Sequence, residues 1–168
     1  TKNYHNLDAL IGGKTINFLT KNIYATASQM LIDYLYSVYN YDSNKALFFT
    51  SNNMIISKHL FFKGGGFNVE FPLAAGEDRE FCYRLSQQDY TMIYADNIIV
   101  YHAHNLTLLT FCQQNFNYGK GAYYFQENIK PLETNYHNFQ PLSFYWHLIT
   151  YPLTNKSEHS LILLIILF

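Results

Sequence analysis

From position 77 onward, five of eight consecutive residues are charged: Glu77, Asp78, Arg79, Glu80 and Arg84. A pair of adjacent carboxylates can serve as a general base for a hydroxyl, provided the backbone leaves room for a ligand beside them. Gly65, Gly66 and Gly76, on the N-terminal side, are residues that permit such an approach. The same charges also suit a plain helix start, where acids meet the positive end of the dipole and Glu80 pairs with Arg84 one turn on. His102 and His104 end an apolar run. At i and i+2 of a strand they share a face, so both imidazoles can meet one divalent metal or one phosphate. The alternative is a histidine pair hydrogen-bonded at a strand end. Further on stand Gln113, Gln114, Tyr118 and Lys120. Lys120 sits between Gly119 and Gly121, which would leave its backbone open to a phosphate or make an ordinary surface turn.

The elements that must position these residues follow from periodicity. Residues 24–39 carry Ala27, Met30, Leu31, Tyr34, Leu35 and Val38 at helical spacing. Residues 46–57 read as two short strands broken at Ser51-Asn52-Asn53. A helix is expected from Gly76-Glu77-Asp78 to about Gln88, with Phe81, Cys82 and Leu85 inward. Two strands, 91–95 and 98–104, are expected around a turn at Asp96-Asn97. A long helix is expected from Leu106 to about Asn128, capped by Asn105 or Thr107 and bent near Gly119 and Gly121. Residues 129–156 read as a connecting segment with one short helix at 143–150. Alternating strands and helices predict an α/β arrangement.

Composition bounds the rest. The chain has 168 residues, 49% hydrophobic and 14% charged, enough for one compact domain and unlike a disordered chain. A net charge of −1 gives no reason to expect nucleic acid as a partner. Cys82 and Cys112 have no metal or redox spacing, which fits a reducing compartment. The 16 Tyr and 14 Phe are spread along the chain and read as a drift in composition. The only two arginines are Arg79 and Arg84. Thr1 is not a start methionine, no signal peptide opens the chain, and Leu161–Phe168 is unbroken apolar sequence, shorter than the ~20 residues of a membrane span. Both ends lead to the expectation of a fragment.

Taken in order, several short stretches resemble the second half of a family 2 glycosyltransferase. They are Ser51-Asn52-Asn53-Met54, Gly65-Gly66-Phe67, Phe71 through Glu80, Phe81-Cys82 with Arg84, Val100 through His104, and Tyr118 through Ala122. Gly12-Gly13-Lys14-Thr15 and the helix from Ala25 also resemble bacterial members. The likeness covers roughly residues 10–125. It implies a partial GT-A fold, a mixed sheet with flanking helices, whose N-terminal nucleotide-binding half is missing. No Asp-x-Asp motif precedes Gly12, so the chain alone is expected to transfer no sugar. Residues 1–128 would form the acceptor side, and 129–168 a linker with an apolar, membrane-associated helix.

The resemblance also implies roles. The reaction would be inverting transfer from a nucleotide-sugar donor to a saccharide or lipid-linked acceptor. Asp78 would be the general base, with Glu77 and Arg79 positioning acceptor and base. Asn52, Asn53, Gly65 and Gly66 would contribute to substrate binding. Gln114, Tyr118 and Lys120 would close over the leaving group. A divalent cation, Mg²⁺ or Mn²⁺, would steady the diphosphate, with His102 near it. The expected location is cytoplasmic, at the inner face of the plasma membrane. Asn68, Leu85, Asp89 and Lys120 depart from residues common in the family. Two rival readings are a metal-dependent hydrolase using His102, His104, Glu77 and Asp78, and a non-catalytic membrane-associated module.

Overall fold

The computed structural model describes residues 8–71, 73–129 and 140–154, the side chains of 128 and 129 excepted. Strand β1 (Ala9–Asn17) lies in the middle of a three-stranded sheet, between β2 (Met54–Ile55) and β3 (Thr91–His102). No strand is expected at β1 from the sequence. Its residues from Ala9 through Gly13 are all buried, so the alternation that marks a half-exposed strand is absent. Gly12 is required by packing: a Cβ there would lie 1.9 Å from the Phe49 ring.

Strand β2 runs antiparallel to β1, with Ile11 opposite Ile55. Strand β3 runs parallel to it, from Ala9 opposite Thr91 to Asn17 opposite His102. The expected turn at Asp96-Asn97 is instead a bulge inside one continuous strand. Gly13 faces Ala95 while Lys14 faces Ile99, leaving residues 96–98 as surplus. The Asn53 side chain braces this irregularity, donating from Nδ2 to the carbonyls of Lys14 (3.0 Å) and Ile98 (3.2 Å). Turn-forming residue types suit a bulge for the same reason they suit a turn, because both need backbone that leaves the ladder.

Helix α1 (Ile23–Tyr39) is capped by Asn22, whose Oδ1 accepts from the Ala25 amide. The α1 stripe divides among neighbours. Ala27 packs with Leu106 and Phe111, while Tyr36 joins the main core. Tyr34 turns toward α5 (Leu142–Thr154), its hydroxyl donating to the Phe144 carbonyl at 2.7 Å. Residues 46–50 form no strand, although the Ala46 amide donates to the Met92 carbonyl of β3 at 3.1 Å, and Ser51–Asn53 is a single 3₁₀ turn. A short helix, α2 (Lys58–Lys63), follows under a Ser57 cap. At six residues it is too short to announce itself by period.

Helix α3 (Glu77–Gln87) buries Phe81, Cys82 and Leu85 against Leu10, Phe49 and Met92. Burial of side chains such as these stabilises a fold by about 1.5–3 kcal/mol each. Arg84 does structural work on this helix. It pairs with both Glu80 oxygens (2.8 and 2.9 Å) and also donates to the carbonyls of Gly64 and Gly66. Gly65 and Gly66 have φ of +87° and +63°, so this glycine loop is bent back onto Arg84.

Helix α4 (Leu108–Ile129) starts under Thr107, whose Oγ1 accepts from the Thr110 amide. It stays helical through both glycines where a bend is expected from the sequence. Gly121 serves close packing: a Cβ there would meet the Ala75 carbonyl oxygen at 1.9 Å. Gly76, at φ +94°, lies against Gly121 in turn. Among the described residues no helix is long and apolar enough to cross a membrane. Residues 130–139 and 155–156 of the expected connecting segment, and the apolar tail Leu161–Phe168, lie outside the described residues. Helix α5 is the short helix expected at 143–150, extended at both ends.

Candidate active site

Parallel strands deliver their carboxyl ends to one edge of a sheet, and clefts form there. Here β1 ends at Asn17 and β3 at His102, paired side by side, and both line a cavity of about 320 Å³. Helix α1 supplies one wall through Ala25, Ser28, Gln29, Ile32 and Leu35, spaced as one helix face. The N-terminus of α3 supplies Glu77, Asp78 and Arg79. Helix α4 adds Gln114, Tyr118 and Ala122, four residues apart and therefore stacked. The Gly76–Gly121 contact presses these last two elements together.

Asp78 is held by backbone. The Ser51 amide donates to Oδ2 at 3.2 Å and the Arg79 amide to Oδ1 at 2.8 Å. Burial raises the Asp78 carboxyl above the ordinary aspartate range. The two amides oppose that shift, and the charge of Glu77 adds to it. Two effects compete at a helix start, and burial outweighs the backbone donors here. Asp78 has no cationic side chain within ion-pair distance among the described residues, where Arg84–Glu80 is the ion pair. Beside it, Glu77 Oε2 is buried and accepts no hydrogen bond. A buried acceptor without a donor is costly, so a ligand donor at this position would be favourable.

At the strand ends, His102 and His104 stand with ring centroids 5.4 Å apart. His104 Nδ1 meets Gln114 Nε2 at 3.3 Å, and Gln114 also reaches the Tyr118 hydroxyl (3.0 Å) and Ser28 Oγ (3.3 Å). Burial, then the neighbouring His102, lowers the His104 pKa, which favours neutral imidazole. The Tyr118 hydroxyl is shifted upward, by burial first and also by the charges of Asp78 and Glu77, so it stays a proton donor. The Asn52 Oδ1 accepts from Thr50 (2.8 Å) and Thr15 (3.2 Å) at the cavity wall.

The cavity therefore gathers Glu77, Asp78, Arg79, Asn52, His102, Gln114 and Tyr118 from the residues expected in the site. It does not gather four others. Asn53 is buried in the sheet bulge. Gly65 and Gly66 belong to the loop fastened by Arg84. Lys120 lies two residues past Tyr118, about 200° around the helix. It lines a separate hollow with Phe116 and Tyr123, its Nζ 4.9 Å from the Phe116 ring centroid. Thr15, Asn17, Ser28 and Gln29 were not expected. They come from β1 and from the polar positions of α1, and only the assembled sheet places them.

The divalent cation implied by the family resemblance finds no complete donor set. Among the described residues no group of three or more His, Cys, Asp or Glu side chains is placed to hold a metal. His102, His104 and the two acids share the cavity without converging, which disfavours the metal-dependent hydrolase reading. Cys82 offers no nucleophile, because burial pushes its thiol up to about 12.

A family model described as glycosyl transferase family group 2 matches residues 9–168. No curated protein and no solved structure matches the chain.

Proposed function

The chain belongs to glycosyl transferase family group 2, and from that premise we propose that its cavity is the acceptor side of an inverting transfer from a nucleotide-activated sugar. The observation that carries this reading is Asp78: a carboxyl at the carboxyl end of parallel strands, lining a cavity, with no cationic partner among the described residues and with its pKa raised. A base works best when its pKa approaches the working pH, and burial moves Asp78 in that direction.

In the proposed step an acceptor hydroxyl lies against Asp78 and attacks the anomeric carbon from the face opposite the departing phosphate. Asp78 takes the hydroxyl proton as the new C–O bond forms. The bond to the phosphate oxygen breaks, the nucleoside diphosphate leaves with that electron pair, and configuration inverts. Glu77 Oε2 is available to a second acceptor hydroxyl. Tyr118, hydrogen-bonded to Gln114, offers a proton-donating hydroxyl on the opposite wall. A divalent cation would stabilise the diphosphate when bound. The described residues do not supply its ligands, so no part of the step is assigned to it.

The test is release of nucleoside diphosphate from a panel of sugar nucleotides by the protein that carries this chain, with Asp78→Asn beside it. Transfer that survives in Asp78→Asn at more than a tenth of the wild-type rate overturns the assignment. Retention of the donor sugar's anomeric configuration in the product would overturn the inverting course. The partial GT-A architecture remains part of the same proposal. The three-stranded mixed sheet with helices around it is compatible with it.

A further inference from the structure

Arg79 is a cation lining the cavity with no carboxylate partner among the described residues. The neighbouring acids are oriented elsewhere. Asp78 accepts backbone amides, Glu80 is held by Arg84, and Glu77 lies two helix positions away. Arg79 is nonetheless fixed in place. Its Nη2 donates to the Tyr39 hydroxyl at 3.0 Å, and its guanidinium carbon lies 5.4 Å from the ring centroids of both Tyr39 and Phe125. Two aromatic rings hold the guanidinium and limit its hydration, and most of its five donors stay unassigned. A cation held this way, with no carboxylate paired to it among the described residues, would bind a ligand anion more tightly than one at a solvated surface.

The placement says which substrate it would meet. Tyr39 is the last residue of α1, whereas Asn17 and His102 lie by its first turns. The cavity follows α1 from Ala25 to Leu35, roughly 15 Å at 1.5 Å per residue. Arg79 thus belongs to the end remote from the histidines, with Asp78 beside it. Adjacent helix residues point about 100° apart, so one ligand can place a hydroxyl at Asp78 and another group at Arg79.

We propose that Arg79 selects acceptors that carry an anionic group, a carboxylate or a phosphate, set apart from the hydroxyl that receives the sugar. The proposal rests on the acceptor reading of the cavity but is measured by binding, independently of turnover. A planar guanidinium is suited to either anion by paired hydrogen bonds.

The experiment titrates the full chain with glucose, glucuronate, glucose 6-phosphate and, separately, UDP with Mg²⁺, followed by NMR of the protein amides. Both anionic sugars are expected to bind about tenfold more tightly than glucose, the scale of one charge-assisted contact. Glucuronate ahead of glucose 6-phosphate identifies a carboxylate source, and the reverse order a phosphate. In Arg79→Gln the preference is expected to vanish while glucose binding stays, and Arg79→Lys is expected to keep part of it. A purely structural Arg79 would weaken all ligands alike, so an unchanged anion-to-glucose ratio in Arg79→Gln overturns the proposal. Equal wild-type binding of glucose and its anionic forms overturns it without any variant. So does an Arg79-dependent affinity for UDP alone, which would place the residue on the donor. An intact anion preference combined with full transfer by Asp78→Asn would refute the base assignment and leave Arg79 as an anion selector.

Discussion

Ser51 and Asp78, 27 positions apart, are joined by a hydrogen bond from the Ser51 amide to Asp78 Oδ2. A main-chain donor cannot rotate away as a lysine can. The carboxylate is therefore oriented by the 3₁₀ turn at Ser51–Asn53, and its second oxygen is oriented by its own helix start. Orientation and charge compensation are separated here, which leaves the carboxylate basic.

Asp78→Asn is expected to lower transfer by about 10²–10⁴-fold, the usual worth of a positioned general base. Relative stability should depend on pH. Asp78 has a folded-state pKa above its unfolded one. Its contribution is therefore fully present at low pH and lost as pH rises through the folded value. Near pH 7 Asn removes the buried charge, although its Nδ2 then faces one of the two amide donors, so the variant's melting point relative to wild type should be highest there. It should fall on acidification, as melting curves across pH 4–8 will show. The acid limb of the wild-type rate profile should lie above the pH where an ordinary aspartate would put it.

Gly121→Ala and Gly119→Ala form a matched pair two residues apart on one helix. A Cβ at 121 meets the Ala75 carbonyl at 1.9 Å, whereas a Cβ at 119 meets nothing within 4 Å. Urea unfolding should show Gly121→Ala destabilised by about 1–3 kcal/mol through overpacking. Gly119→Ala should be neutral or more stable by up to about 1 kcal/mol, from helix propensity alone. Equal effects in the two variants would contradict the close approach of α4 to Ala75.

Arg84→Lys keeps the charge but loses the fork that reaches Glu80, Gly64 and Gly66 together. A loss of about 1–3 kcal/mol is expected from the carbonyls left without donors. Amide exchange should quicken across residues 64–66, while sugar binding measured by NMR should be unaffected. A selective loss of binding would show that the glycine loop reaches the cavity after all.

Titration with Mn²⁺ or Zn²⁺ should reveal no tight stoichiometric site in the described part of the chain. His102→Ala should change that result little. Tight binding abolished by His102→Ala would restore the metal-dependent hydrolase reading.

Helices were the most legible elements. The spacing of 24–39 gives α1 to within a residue, and Gly76-Glu77-Asp78 marks the start of α3. Strand β1 was not legible, because a strand buried on both faces has no alternation and its two glycines look like loop residues. Asp96-Asn97 was read as a turn because composition cannot tell a bulge from a hairpin. In the site, Glu77 and Asp78 could be named from local sequence, and Arg79 and Tyr118 came with the family resemblance. Ser28 and Gln29 could not, since polar residues on an amphipathic helix normally face water. The family resemblance puts Lys120 with Tyr118, although helical rotation sends it to another face.

The three surplus residues of β3 have a further consequence. Residues in a bulge leave the ladder, so the faces beyond it are set by register and not by counting along β3. Asn17 and His102 share a side because they are partners, and they stay so while Lys14 pairs with Ile99. A length change at 96–98 can therefore be absorbed outside the ladder, whereas a one-residue slip of Ile99 against Lys14 would carry the imidazole to the other surface of the sheet. Insertion and deletion variants can tell tolerance from slippage directly.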